Sequence, residues 1–321
     1  MSHPQMGAHS DTDEAKNVYW RCAFCLFASS RVHNRDARHV LFYNVSPPEI
    51  LDGQRTDELC NRFGIELVPF RSITRPPADY HPKWNTQFIV LDALDGLQSL
   101  AAPGDAVLLL DGDIVFTQPL PGPALAQLQK LGSLTYDMGY SPDFVVNGLT
   151  YDQLQEVSKT YSPPATSAVT YCGGEFVCLS QSVLGEFCSR ARRAYGQSVE
   201  KHARGETKFC EEAHLLSYVY SCMNIPVGTA NGFVRRIWTN RGTFCNVQGD
   251  ESRLALWHLP AEKKKGFGAA FAELASLDRA TALFTDEKKM KTMFHLTVAP
   301  QVSAVLAVRR LVRNTLHKVM S

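Results

Sequence analysis

The chain has 321 residues, of which 45% are hydrophobic and 20% are charged, and its formal net charge at pH 7 is +1. This length allows one large α/β domain or two small ones, with ample material for a core. The near-neutral charge balance argues against a dedicated nucleic-acid-binding protein.

The N-terminal segment is polar and contains no apolar stretch of the signal-peptide kind, so residues 1–17 are predicted to be a flexible leader. Nine cysteines, an odd number that lie mostly in apolar runs, favour a reducing, cytoplasmic setting. Cys22 and Cys25 form a C-x-x-C, but no second pair follows at zinc spacing, which predicts a structural role. No apolar run reaches the roughly 18 to 20 residues that span a membrane, so a soluble or at most membrane-associated protein is expected.

Strands and helices alternate along the chain. In the first half, the sequence predicts strands over 19–27, 39–44 and 65–70, a helix after Pro48 to about Arg62, a helix over 85–100, and a strand over 107–110. In the second half, it predicts a strand over 168–180, helices over 181–205 and 211–223, and strands near 232–239 and 253–259. Such alternation is typical of an α/β domain with a largely parallel sheet, here assigned to residues 18–298. In these sheets the ligand crevice lies outside the carboxyl ends of the strands.

Two carboxylates follow the apolar run of the stretch AVLLLDGDIVF. Asp111 and Asp113, separated only by Gly112, stand at the carboxyl end of the predicted strand over 107–110. Two carboxylates so placed can chelate one divalent cation, and oxygen ligands suit Mg²⁺ or Mn²⁺. Such a cation could neutralise a diphosphate leaving group. The alternative is a polar turn, since Asp-Gly and Gly-Asp are favoured there.

The same letters also fit the D-x-D-x-[TV] motif of phosphatases of the haloacid dehalogenase type, in which the first aspartate is a nucleophile. That class needs a later acidic motif to complete its magnesium site. The nearby candidate is QGDES, with Asp250 and Glu251, and no clear strand precedes it.

A second motif comes late in the chain, in LALWHLPAEKKKGFG. His258 follows an alternating apolar strand and offers a nitrogen ligand, while Lys264 could hold a diphosphate as a point charge. A structural histidine and a solvated lysine loop are the alternatives. Taken in order, D-x-D, His and Lys predict one metal–diphosphate site.

These motifs resemble those of nucleotide-sugar glycosyltransferases of the GT-A fold, and most closely glycosyltransferase family 8, the family of glycogenin and lipopolysaccharide galactosyltransferases. The D-x-D is matched by Asp111 and Asp113, and His258 and Lys264 are in register with the late H-x-x-G-x-x-K-P-W motif. In that motif Ala261 replaces the glycine, and Lys265-Gly266 replaces Pro-Trp. The resemblance covers residues 18–268. It implies a GT-A fold with a Rossmann-like mixed sheet flanked by helices.

The resemblance also implies roles for further residues. Asp111, Asp113 and His258 would bind Mn²⁺ or Mg²⁺, and the donor would be a nucleoside-diphosphate sugar, with a UDP-sugar favoured. The residues implied in donor binding are Phe27, Ala28 and Arg31 at the base, Lys83 and Asn85 at the sugar or phosphates, Asp111 and Gly112 in the D-x-D, Gly173 and Gly174 in the middle strand, and Lys264 on the diphosphate. Small residues such as these glycines let the backbone approach a sugar closely.

The acceptor implied is a hydroxyl of a glycan, a lipid-linked glycan or another molecule. Glu212, Glu211 and Glu175 are the candidate catalytic carboxylates, with Glu212 first because it opens a helix in a family-like position. An inverting enzyme needs such a base, whereas a retaining one can use the departing phosphate oxygen. A dehalogenase-type phosphatase and an inactive GT-A domain that binds a nucleotide or glycan remain the alternatives.

The C-terminal segment, residues 299–321, is predicted to be a basic amphipathic helix. Val305, Val308, Val312, Leu316 and Val319 fall along one stripe of it. Such a helix can pack on its own domain or make peripheral contact with an anionic membrane through residues 300–320.

Overall fold

The computed structural model describes residues 12–71, 73–81, 87–225 and 229–297. Within these ranges the helices are α1 (Asp13–His33), α2 (Thr56–Phe63), α3 (Val90–Leu100), α4 (Gly122–Leu131), α5 (Tyr151–Ser158), α6 (Gln181–Ala203), α7 (Glu212–Cys222), α8 (Gly266–Ala272), α9 (Leu277–Phe284) and α10 (Glu287–Met293). The strands are β1 (His39–Tyr43), β2 (Ile50–Leu51), β3 (Gln54–Arg55), β4 (Ile65–Pro69), β5 (Ala106–Leu110), β6 (Ile114–Phe116), β7 (Ser133–Asp137), β8 (Val145–Val146), β9 (Leu149–Thr150), β10 (Cys172–Ser180), β11 (Val234–Arg236), β12 (Thr239–Asn240), β13 (Phe244–Cys245) and β14 (Leu256–His258).

The segment predicted as the first strand, 19–27, is instead part of helix α1. Thr12 caps the helix by accepting a hydrogen bond from the Ala15 amide, and acidic residues in the first turn complement the helix dipole. Residues 13–17, predicted to belong to the flexible leader, are therefore the first turns of this helix. A short, continuously apolar stretch has no period that separates a buried strand from a buried helix, so the sequence alone does not distinguish the two.

Helix α1 is buried on most of its circumference. It packs against α8 and α9 and also against β6. Its two cysteines, Cys22 and Cys25, are free, fully buried thiols that lie 3.9 and 3.7 Å from the carbonyl oxygens of Lys263 and Phe267. These contacts agree with the structural role predicted for the C-x-x-C.

The strands form several small sheets. β1 pairs with β4 in parallel, while β10 pairs antiparallel with both β5 and β7. β14 lies between β11, which is parallel to it, and β6, which is antiparallel. The mixed α/β class is thus confirmed, and the expectation of a largely parallel sheet is wrong. The sheet is not largely parallel because β10 runs antiparallel to β5 before the chain enters α6.

Most other predicted elements are present. β1, β4, α3, β5, β10, α6, α7, β11 and β14 all overlap the segments predicted from the sequence. The helix expected after Pro48 begins only at Thr56, because a hairpin of β2 and β3 turns at Asp52 and Gly53, both with positive φ. None of the helices in the described ranges is long and apolar enough to cross a membrane. The predicted tail helix over 299–321 lies outside those ranges.

Candidate metal and diphosphate site

Three side chains from distant parts of the sequence meet where β5 and β14 end. Asp111 directly follows β5, and Asp113 directly precedes β6. His258 is the last residue of β14, where it pairs with Ile114 of β6. One ligand atom from each of the three lies within 4.8 Å of the others. His258 Nε2 is 3.3 Å from Asp113 Oδ2 and 3.8 Å from Asp111 Oδ2. The structure thus brings together the three metal ligands predicted from the sequence.

Within the described residues, the cluster reaches solvent on the side of Asp111. The side chains of Asp113 and His258 are 3% and 4% exposed, whereas that of Asp111 is 33% exposed. A divalent cation held by two carboxylates and an imidazole would keep positions for water or phosphate oxygens on the Asp111 side. The donor set therefore fits Mn²⁺ or Mg²⁺.

His258 is held in position from its other ring nitrogen. Nδ1 lies 3.3 Å from Oε1 of Glu175, whose carboxylate also receives two hydrogen bonds from Arg236, from Nε at 2.9 Å and from Nη2 at 2.7 Å. A carboxylate behind a metal-binding histidine fixes the ring orientation and increases its basicity. Glu175 and Arg236 are thus positioned to support His258.

These charges shift the pKa values in the cluster. Burial alone would lower the pKa of His258, but Asp113 and Glu175 raise it to about 9. Burial alone would raise the pKa of Glu175, but Arg236 and His258 lower it to about 2. Glu175 was a predicted catalytic carboxylate. Because its carboxylate pairs with both Arg236 and His258, its geometry suits orientation of His258 better than proton transfer.

A lysine approaches the aspartates, but it is Lys263 and not Lys264. Lys263 Nζ lies 2.7 Å from Asp113 Oδ2, whereas Lys264 is exposed. A 3₁₀ turn, Pro260–Glu262, separates β14 from these lysines and sets which of them faces the site. The Lys263 ammonium therefore already places one positive charge beside Asp113.

Two adjacent glutamates lie at the start of α7. Glu211 accepts hydrogen bonds from the Tyr171 hydroxyl and the Asn147 amide. Glu212 has a buried Oε2 with no hydrogen-bond partner among the described residues. Burial raises the pKa of both carboxyls, and for Glu212 the neighbouring Glu211 adds to the shift. These predicted catalytic residues therefore bind protons more tightly than ordinary glutamates.

Gly173 and Gly174, which are predicted to contact the donor, lie in β10 against Glu175 and Glu212. A Cβ atom added to Gly174 would lie 2.9 Å from Glu212 Oε1, and one added to Gly173 would overlap the Glu175 carboxylate. The pairing of β10 with β7 shifts register in this region, between Cys172 and Val177. Such irregularities occur often beside functional sites, where they redirect side chains.

The residues predicted to receive the nucleotide base are not in a loop. Phe27, Ala28 and Arg31 lie within α1, where Phe27 packs edge-on against His39 and Arg31 donates to the Arg35 carbonyl. The helix turns nearer the cluster carry Tyr19, whose ring centroid is 5.9 Å from Lys263 Nζ. The prediction that Phe27, Ala28 and Arg31 form a base-binding loop is wrong because this segment belongs to helix α1. Lys83 and Asn85 lie outside the described residues.

Sequence reasoning missed Arg236, Lys263 and Tyr19 as members of the site. Arg236 lies in β11, in the segment GFVRRIWT, whose apolar pattern predicts a strand but does not show which arginine faces inward. No protein-family model matches this chain, and no curated protein matches it significantly.

Proposed function

We propose that this protein is a metal-dependent glycosyltransferase that transfers a sugar from a nucleoside-diphosphate sugar, with a UDP-sugar as first candidate, to a hydroxyl acceptor. The observation that carries the proposal is the convergence of Asp111, Asp113 and His258 beside Lys263 at the end of a strand. The open side of this cluster, at Asp111, is where a diphosphate would enter.

Asp111, Asp113 and His258 would hold Mn²⁺ or Mg²⁺, which supplies charge stabilisation for a diphosphate leaving group. Glu175 keeps Nε2 of His258 aimed at the two aspartates by engaging Nδ1. Lys263 adds a point charge that can pair with Asp113 or with a phosphate oxygen. The cation and Lys263 would thus both stabilise the negative charge that develops on the diphosphate.

The two glutamates of α7 suit hydrogen bonding to the donor sugar. Burial raises the pKa of Glu212, so its carboxyl tends to be protonated and can donate a hydrogen bond to a sugar hydroxyl. A protonated acid is a poor base. This favours a route in which a phosphate oxygen of the departing nucleotide accepts the proton of the acceptor hydroxyl.

An aromatic surface extends outward from these acids. The Tyr171 hydroxyl donates to Glu211, the Tyr171 ring contacts Tyr140 with centroids 5.2 Å apart, and Tyr140 stacks on Phe144 at 4.7 Å. Phe144 is 50% exposed. Flat apolar rings accept the C–H face of a pyranose, so this surface supports a glycan as acceptor.

The phosphatase alternative receives less support. Its metal site would be completed by a later acidic motif, yet Asp250 pairs with Arg235 at 2.6 Å and Glu251 accepts hydrogen bonds from the amides of Gln248 and Gly249. Among the described residues, the third member of the D-x-D cluster is a histidine.

The proposal is tested by nucleotide release. The purified chain is incubated with UDP-, GDP- and ADP-sugars in Mn²⁺ or in EDTA, and free nucleoside diphosphate is measured. We expect metal-dependent release from one donor class that is lost in Asp111→Asn and kept in Asp250→Asn. Hydrolysis of generic phosphoesters without release from any sugar nucleotide would favour the phosphatase.

A further inference from the structure

A separate cavity of about 450 Å³ lies between α1, β1, α3 and β5. Its walls are mainly apolar and include Leu26, Phe27, Leu41, Leu97, Leu109 and Leu128. It is large enough for a ligand and reaches Gly112, the middle residue of the D-x-D. Neither the metal cluster nor the glutamates of α7 account for it.

Two open strand edges contribute to the same cavity. β1 pairs with β4 on one edge and β5 pairs with β10 on one edge, and no described strand pairs with their other edges. Residues of both strands line the cavity, including His39–Phe42 of β1 and 106–110 of β5. A strand edge presents a row of amide donors and carbonyl acceptors, which forms a template for another strand.

Two buried side-chain nitrogens in the lining are also unsatisfied. His39 Nε2 pairs with the Ser30 hydroxyl at 2.9 Å, but its Nδ1 has no hydrogen-bond partner among the described residues. Asn34 accepts from the Leu120 amide through Oδ1, but its buried Nδ2 has none either. Buried polar atoms are normally hydrogen-bonded, so these nitrogens point to a ligand with polar groups of its own.

We propose that this cavity binds an extended apolar peptide segment of a partner protein, which adds as a strand between β1 and β5. Main-chain groups of such a peptide would pair with the two open edges, and its side chains would fill the apolar walls. A purely hydrocarbon ligand would leave both edges and the two nitrogens unsatisfied. An extended peptide matches all three features.

Segments of the same chain outside the described residues match less well. Residues 1–11 contain Pro4, which cannot donate to a ladder, and few apolar side chains. The apolar run over 302–308 belongs to a stretch whose stripe repeats every three to four residues, which is the period of a helix and not of a strand. These mismatches favour a segment supplied by another protein.

The test uses the full-length chain and a fluorescein-labelled peptide with five alternating valines and leucines and a two-lysine tail. Fluorescence anisotropy is expected to show saturable binding. The control peptide has the same side chains but is N-methylated at alternate residues, which removes the donors toward one edge. We expect it to bind at least tenfold more weakly. Equal binding of the two peptides, or no saturable binding of the first, would overturn strand addition without requiring any variant to fold.

Two variants locate the site. Leu97→Trp narrows the cavity and is expected to abolish peptide binding, whereas Leu277→Trp, on the exposed face of α9 away from the cavity, is the matched control. Leu306→Asp tests the chain's own tail. If that variant binds the peptide more tightly than the wild type, the tail occupies the cavity and a partner protein is not the natural ligand. Unchanged affinity supports the proposal.

Discussion

His258 links two carboxylates that belong to different parts of the fold. Its Nε2 is 3.3 Å from Asp113, between β5 and β6, and its Nδ1 is 3.3 Å from Glu175 in β10. One imidazole thus connects the open cation cluster to a buried ion pair between Glu175 and Arg236. The orientation of the His258 ring therefore depends on this buried ion pair.

Glu175→Gln is expected to weaken Mn²⁺ binding by about 10- to 100-fold, the usual loss when the carboxylate behind a metal-binding histidine is removed. The physical reason is that His258 loses its charged anchor, while Arg236 loses both of its hydrogen bonds to a carboxylate. Isothermal titration with Mn²⁺ measures the change. Glu66→Gln, in an exposed pair with Arg38, is the control and is expected to leave the affinity unchanged. Wild-type affinity in Glu175→Gln would contradict the positioning role.

The two neighbouring lysines are expected to differ. Lys263→Met removes the cation beside Asp113, so Mn²⁺ alone should bind on the order of tenfold more tightly, because like charges about 4 Å apart repel even in water. UDP binding in Mn²⁺ should weaken by about tenfold or more, the scale of a lost charge-assisted hydrogen bond. Lys264→Met should change neither. Titrations with Mn²⁺ and with UDP measure both effects, and equal behaviour of the two variants would refute the assignment.

Glu212→Gln is expected to stabilise the protein at neutral and alkaline pH. Burial raises the pKa of this carboxyl above its ordinary value of 4.5, so the folded state holds the proton more tightly than the unfolded chain. The stability that this gives is complete below pH 4.5 and is lost as pH rises through the folded pKa. Gln mimics the neutral acid, so the variant should melt higher than wild type at pH 8 and similarly at pH 4. Glu156→Gln, at an exposed position of α5, should show no such difference, and a lower melting temperature of Glu212→Gln at pH 8 would be the contrary result.

Phe144→Ala is expected to affect the acceptor and not the donor. Loss of the exposed ring that stacks on Tyr140 should raise KM for a glycan acceptor by about 2- to 10-fold, the scale of one aromatic contact. Donor hydrolysis without acceptor should stay at the wild-type rate. Val145→Ala, the next residue and even more exposed, provides the control. If both variants lower donor hydrolysis equally, the aromatic surface is not an acceptor site.

The metal cluster was the part of the site most accessible from sequence. Asp111 and Asp113 follow an unambiguous apolar strand, and His258 follows another, so their strand-end positions could be predicted and the structure brings them together. The local sequence pattern does not predict which residue after a turn faces the site. The 3₁₀ turn after β14 brings Lys263 to Asp113. The spacing of the late family motif predicts Lys264 at this place instead.

The fold was harder to predict where burial removes periodicity. Helix α1 is apolar around most of its circumference because it is covered by α8, α9 and β6, so its residues show neither a clear helical stripe nor strand alternation. The antiparallel direction of β10 is likewise a property of the chain path and not of its own sequence. The nucleotide-base contacts expected at Phe27, Ala28 and Arg31 depend on the first of these predictions alone, and the structure places them inside helix α1.

If Asp111, Asp113 and His258 hold a metal that binds a nucleoside diphosphate, the nucleotide should bind only when the metal is present. The most direct measurement is calorimetric titration of UDP into wild type and Asp111→Asn, each in Mn²⁺ and in EDTA, with Asp250→Asn as the matched surface control. We predict that UDP binds to wild type and to Asp250→Asn only in Mn²⁺, and that Asp111→Asn loses this binding. Equal UDP affinity in Mn²⁺ and EDTA, or UDP binding that survives in Asp111→Asn, would contradict the account.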